Sequence, residues 1–154
     1  MIIFRPSIFE LKILIDIYAN VAGNQIIPFD KNVSLNNLKL KFYNNAFIRG
    51  IEDNGEITAF IVGEIIFHPH LAFSVLQQTY YASIYKGIKA AKAVKLLHMA
   101  LYEKAELMKI PLVMSMGSFL DETNVFTRIL EKDNWIRTGY LACKKTSYWN
   151  TVSN

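Results

Sequence analysis

The strongest constraint on this chain is a junction near its middle. Residues 65–85 form a run without Asp, Glu, Lys or Arg, which leads straight into Lys86-Gly87-Ile88-Lys89-Ala90-Ala91 and then into a long helical pattern. A strand that turns through glycine into a helix presents unpaired N–H groups at the positive end of the helix dipole. The junction therefore predicts a cradle for an anion such as a phosphate. The simpler reading of the same residues is a turn glycine followed by lysines on a solvated helix face. Residues 65–85 are long enough to span a bilayer, but His68, Pro69, His70, Gln77 and Gln78 interrupt them, so two strands and a turn are expected and no membrane segment.

With 154 residues, 52% hydrophobic and 19% charged, the chain is expected to form a single domain, 1–154, with a filled core. Its charge is uneven. Residues 85–154 carry 11 Lys/Arg against 6 Asp/Glu, and residues 1–84 carry 6 against 7. The basic half contains the phosphate turn, which suits an anionic ligand, a nucleic acid or an acidic protein surface. Cys143 is the single cysteine, so an internal disulfide is excluded and a reducing cytoplasm is the expected compartment. Arg5 breaks the apolar start before an export signal can form.

Along the chain, Ile2, Ile3 and Phe4 read as a strand ended by Pro6, and Ser7 with Glu10 forms a capping box for a helix over 7–21. Residues 23–33 read as a loop and 35–43 as a second helix. Strands are expected over 46–52 and 57–67, joined by the hairpin turn Asp53-Asn54-Gly55-Glu56, and His68-Pro69-His70 turns into a third strand over 73–84. The helix over 87–109 places Ala91, Val94, Leu97, Leu101, Ala105 and Met108 on one face. A strand at 111–116, a helix containing Leu130-Glu131-Lys132-Asp133-Asn134-Trp135 and a closing strand pair around Thr138-Gly139-Tyr140 complete the order.

This order resembles the GNAT superfamily of N-acyltransferases, and the small, degenerate GNAT-like proteins of bacteriophages in particular. The resemblance implies an α/β (α+β) fold: a mixed, mostly antiparallel twisted sheet of six to seven strands with about four helices on both faces. It also implies acetyl-CoA as cofactor, its pantetheine arm lying between two splayed strands. The pyrophosphate would sit on a Gln/Arg-x-x-Gly-x-Gly/Ala turn, for which Lys86-Gly87-Ile88-Lys89-Ala90-Ala91 is the best register, with Ile84 at the end of the preceding strand. Lys89 stands where the family has its middle glycine, so its β-carbon narrows the cradle while its ammonium can serve the phosphate. In the C-terminal helix, Leu130 falls at the position of the family tyrosine that protonates the departing thiolate. Asn134 falls at the glycine, a residue that tolerates the left-handed conformation of a helix end, and Thr123 replaces the expected asparagine, with Asn124 one residue away.

For proton transfer from the acceptor amine the nearest carboxylate is Glu64, read either as the general base or as a salt-bridged strand residue; His68 and His70 are imidazole alternatives. Tyr80, Tyr81 and Tyr140 read either as core or cleft-lining residues or, where a hydroxyl faces the cleft, as replacements for the missing tyrosine acid, and Tyr81 is taken with Glu64 as the catalytic pair. Two histidines in a proline turn give no metal site, and Cys143 reads as an inert thiol. The activity implied is acetyl transfer from a CoA thioester to an unidentified primary amine. The alternative is a non-catalytic GNAT-fold phage protein with a partner in head assembly, the virion or the host, its compartment then the virion or the host cytoplasm. A homo-oligomer is left open. Nucleic-acid binding through Lys86, Lys89, Lys92 and Lys95 lacks an aromatic platform and is not expected.

Overall fold

The computed structural model describes residues 1–22, 29–68, 72–116, 125–138 and 141–149. In order these form β1 (Ile2–Phe4), α1 (Leu11–Ala22), α2 (Lys31–Tyr43), β2 (Phe47–Asp53), β3 (Glu56–His68), β4 (Phe73–Ser83), α3 (Gly87–Leu107), β5 (Leu112–Met116), α4 (Val125–Glu131), β6 (Ile136–Thr138) and β7 (Leu141–Lys145). The strands make one seven-stranded sheet in the order β1-β2-β3-β4-β5-β7-β6. Every pairing is antiparallel except β4 with β5. That is the mixed, mostly antiparallel sheet expected from the sequence.

Two apolar layers sandwich the sheet. On one face α1 and α2 bring Leu11, Leu14, Ile15 and Leu38 against Ile48, Phe60, Val62 and Ala82. On the other, α3 and α4 bring Val94, Leu97, Leu101 and Leu130 against Ile51, Ile61, Leu76 and Val113. Alternate residues along β3 thus serve opposite layers, as the period of a strand requires. At Gly63, α3 comes so close that a β-carbon would stand 2.5 Å from Leu101 Cδ1. Among the described residues, no helix is long and apolar enough to cross a membrane.

Local chemistry explains the boundaries. Asn54 and Gly55 both have positive φ, 55° and 80°, the conformation that the two-residue hairpin turn demands. The last helix ends on Asn134 at φ 64°, with Asn134 N–H donating to Glu131 O and Trp135 N–H to Leu130 O at 3.1 and 3.2 Å. This is the left-handed asparagine that the sequence predicts, locked by the burial of Leu130 and Trp135 in one cluster.

Two helix starts differ from expectation. α1 begins at Leu11 rather than residue 7, because the Glu10 carboxylate accepts the Ser7 N–H at 2.6 Å and holds residues 8–10 as a turn. α2 begins at Lys31 rather than residue 35. Asp30, read as loop, caps it by accepting the N–H groups of Asn32 and Val33 at 2.8 and 3.0 Å.

Candidate functional site

β4 carries the decisive irregularity. It pairs with β3 along nearly its whole length, but the register jumps from Val62↔Tyr80 to Gly63↔Gln78 and leaves Thr79 with no residue opposite it. Such a bulge bends the strand and increases its twist. On the other edge β4 meets β5 in two register pairs, Leu76↔Val113 and Gln77↔Met114, although β4 runs on to Ser83 and β5 to Met116. Beyond Gln77 and Met114 no backbone pair joins these two parallel strands among the described residues. Thr79 Oγ1, at the bulge, is buried and has no hydrogen-bond partner among the described residues.

The open half of β4 leads into the start of α3. Ile84, half exposed, donates its N–H to Thr58 O at 2.9 Å, and Tyr85 N–H donates to Ser83 Oγ at 3.1 Å. Lys86 stands at the N-cap with extended backbone and makes no capping bond with its side chain. Gly87 has φ 59°, and nothing lies within 4 Å of where its β-carbon would be. A 21-residue helix therefore begins with uncapped N–H groups on a left-handed glycine, followed by Ile88, Lys89, Ala90 and Ala91. Lys86 and Lys89 are exposed, as is Ile88, while Ala90 and Ala91 are half-buried.

Lys89 is not idle. Its ammonium lies 3.4 Å from Asp53 Oδ2 and 5.5 Å from the centre of the Tyr85 ring. Asp53, at the β2 end of the hairpin, also accepts the Tyr85 hydroxyl at 2.7 Å and the Met1 amine at 3.2 Å. These donors, the Tyr85 hydroxyl foremost, hold its carboxyl down at about 2. The side chain that replaces the expected glycine is thereby turned toward the hairpin.

The proposed catalytic side chains lie on opposite faces of the sheet. Glu64 on β3 forms an ion pair with Lys41 of α2, on the face of α1 and α2. Lys41 also lies 5.8 Å above the Tyr80 ring, and Tyr80 meets Tyr18 edge-on at 5.3 Å. Tyr81 points the other way, 5.7 Å from the His98 ring of α3, and burial pushes its phenol above the ordinary value. Glu64 and Tyr81 are not brought together. Leu130, at the family tyrosine position, is fully buried in the α3 layer. Pro69, His70, Thr123, Asn124, Gly139 and Tyr140 lie outside the described residues.

The sequence reading missed a polar cluster where the strands part. His98, fully buried on α3, places Nδ1 2.8 Å from Val94 O, and Nε2 2.8 Å from Gln78 Oε1 and 3.0 Å from Ser115 Oγ. Ser115 Oγ also donates to Gln78 Oε1 at 2.5 Å. Burial lowers the imidazole to about 4, so it is neutral at pH 7. The available signal was a histidine within the stripe Val94, Leu97, Leu101, Ala105, where a polar side chain needs a buried partner.

No family model matches the chain, and no curated protein matches it. Solved structures do share its fold. The ribosomal-protein-alanine N-acetyltransferase of Brucella melitensis matches 95% of this chain and 100% of its own with a TM-score of 0.72 at 13% identity. A GNAT superfamily phosphinothricin acetyltransferase from Sinorhizobium meliloti, solved with acetyl-CoA, matches 94% of this chain and 87% of its own at 0.73 and 8% identity. The PaiA N-acetyltransferase of Thermoplasma acidophilum, solved with coenzyme A, matches 94% and 98% at 0.65 and 16% identity. The chain has the fold of GNAT acetyltransferases.

Proposed function

We propose that this protein transfers an acyl group from a CoA thioester to a primary amine. The observation that carries the reading is the end of β4–β5 backbone pairing at Gln77 and Met114, on the strand that leads into an uncapped helix start. The residues present fit the cofactor. Uncapped amides of α3, Lys86 and Lys89 suit a pyrophosphate. The buried Thr79 hydroxyl, without a partner among the described residues, suits a carbonyl or amide of the ligand. Bound there, acyl-CoA supplies a thioester whose C–S bond is exchanged for a C–N bond to the amine.

The chain's own groups divide the remaining work. The β4 edge beyond Gln77, unpaired with β5, offers backbone donors to a developing oxyanion. Glu64 and Tyr81 serve the one reaction from opposite faces of the sheet. Glu64 receives the amine proton on the α1/α2 side, once an incoming ammonium displaces Lys41. Tyr81, protonated at every physiological pH, offers its hydroxyl to the leaving sulfur on the α3 side. The competing reading is a protein that keeps the fold without chemistry, acting in a virion or on a host partner. It draws on the burial of Leu130 and the engagement of Lys89 by Asp53.

Calorimetric titration with acetyl-CoA tests the proposal. Binding that weakens roughly tenfold or more in the Lys86→Glu/Lys89→Glu double variant supports it. Absence of heat at millimolar acetyl-CoA leaves the non-catalytic reading.

A further inference from the structure

The Gln78, His98 and Ser115 side chains stand at one particular place. Gln77↔Met114 is the last backbone pair of the parallel ladder, so Gln78 and Ser115 occupy the next rung. That rung is made by side chains: the Ser115 hydroxyl reaches Gln78 Oε1 at 2.5 Å, and His98 Nε2 lies within 3.0 Å of both. Gln78 is also the residue before the bulged Thr79. All three side chains are buried. His98 is itself fixed through Nδ1–H, which donates to Val94 O at 2.8 Å. A neutral ring so held accepts at Nε2, so the proton there comes from the Ser115 hydroxyl or, with the Gln78 amide turned nitrogen-first, from that amide.

We infer that Gln78, His98 and Ser115 are positioning residues, a side-chain rung that sets the spacing of β4 and β5 at the head of the slot and so fixes how the pantetheine arm of an acyl-CoA enters. This rests on the acyl-CoA reading of the slot. The cluster is suited to the task because it ties three elements at once. His98 lies eleven residues after Gly87, about 16 Å along α3 from the phosphate turn. That is comparable to an extended pantetheine arm. The imidazole therefore holds the helix that bears the phosphate cradle in register with the two strands between which the arm would lie. With apolar side chains in this position, β4 and β5 would lose the polar contacts that hold them at one distance, since dispersion is not directional.

The test separates the arm from the nucleotide. Acetyl-CoA and the phosphorylated ADP portion of CoA, which lacks the arm, are each titrated calorimetrically into the wild type, His98→Leu, His98→Gln and Ser115→Ala. The expected result is a loss of roughly tenfold in acetyl-CoA affinity in His98→Leu and Ser115→Ala, from the lost buried hydrogen bonds, with the armless nucleotide bound as in the wild type. His98→Gln, which restores a polar group toward Gln78 and Ser115, recovers part of the loss. Equal weakening of both ligands, or unchanged acetyl-CoA affinity in a folded variant, overturns the inference while the acyl-CoA reading stands. A wild type that binds neither ligand overturns both. Ser115→Ala removes a single oxygen, which keeps the test decisive if His98→Leu fails to fold.

Discussion

The first half of β4, through Gln77, is bonded to β3 on one edge and reaches β5 on the other, whereas from Gln78 onward only the β3 edge is paired among the described residues. Both halves come from the same uncharged run of sequence. They differ in how their polar groups are satisfied. In the first half Leu76 and Gln77 are paired on both edges and contribute to stability. In the second, the Thr79 hydroxyl is buried without a hydrogen-bond partner among the described residues. The β4–β5 ladder ends at Gln77↔Met114, two residues before the bulged Thr79 of the β3–β4 ladder.

That contrast is broken most forcefully in the closed half. Leu76, almost fully buried against α3, is expected to lose about 3 kcal/mol of folding stability on Leu76→Ala, read by denaturant unfolding. The affinity of the remaining folded molecules for acetyl-CoA is expected to be unchanged. A large affinity loss would mean that the closed half also shapes the slot.

The boundary between the halves carries the next effect. The His98 imidazole is lowered from 6.5 to about 4 by burial, so the unfolded chain binds its proton first as pH falls. Stability contributed by the neutral buried ring is complete above about pH 6.5 and declines until about pH 4, where the folded protein is protonated too. The decline amounts to about 3 kcal/mol on the linkage relation. Unfolding measured from pH 7 to pH 4 should show it, and His98→Leu should remove the part of the slope that lies between these values.

The smallest effect sharpens the contrast at the far end of the open half. Asp53→Asn frees Lys89 and removes a negative charge beside the glycine turn that opens α3, so acetyl-CoA should bind roughly threefold more tightly by calorimetry. Weaker binding would show that the Tyr85–Asp53–Lys89 contact builds the cradle instead of diverting Lys89 from it.

Much of the fold was legible because it is written in local chemistry. The Asn54-Gly55 turn, the glycine before α3 and the left-handed Asn134 each follow from which residues tolerate positive φ. Strand alternation and helix spacing sorted residues into faces. The same reasoning placed α2 four residues late, because Asp30 was read as a loop residue when it was a cap. The site was less legible. Nothing in spacing ties Glu64 to Lys41, 23 positions apart, or Asp53 to Lys89, 36 apart.

From the amino-acid order alone came the elements, their succession and the glycine turn before α3, since each depends on backbone preferences within a few residues. The tertiary structure alone decided where the parallel ladder stops and what fills its next rung. Gln78, His98 and Ser115 come from three elements separated by 17 to 37 positions, and a polar side chain in an apolar stripe reveals its partner only when packing brings the partner to it. It also decided that Glu64 and Tyr81 stand on opposite faces, because the bulge at Thr79 shifts every residue after it by one in register.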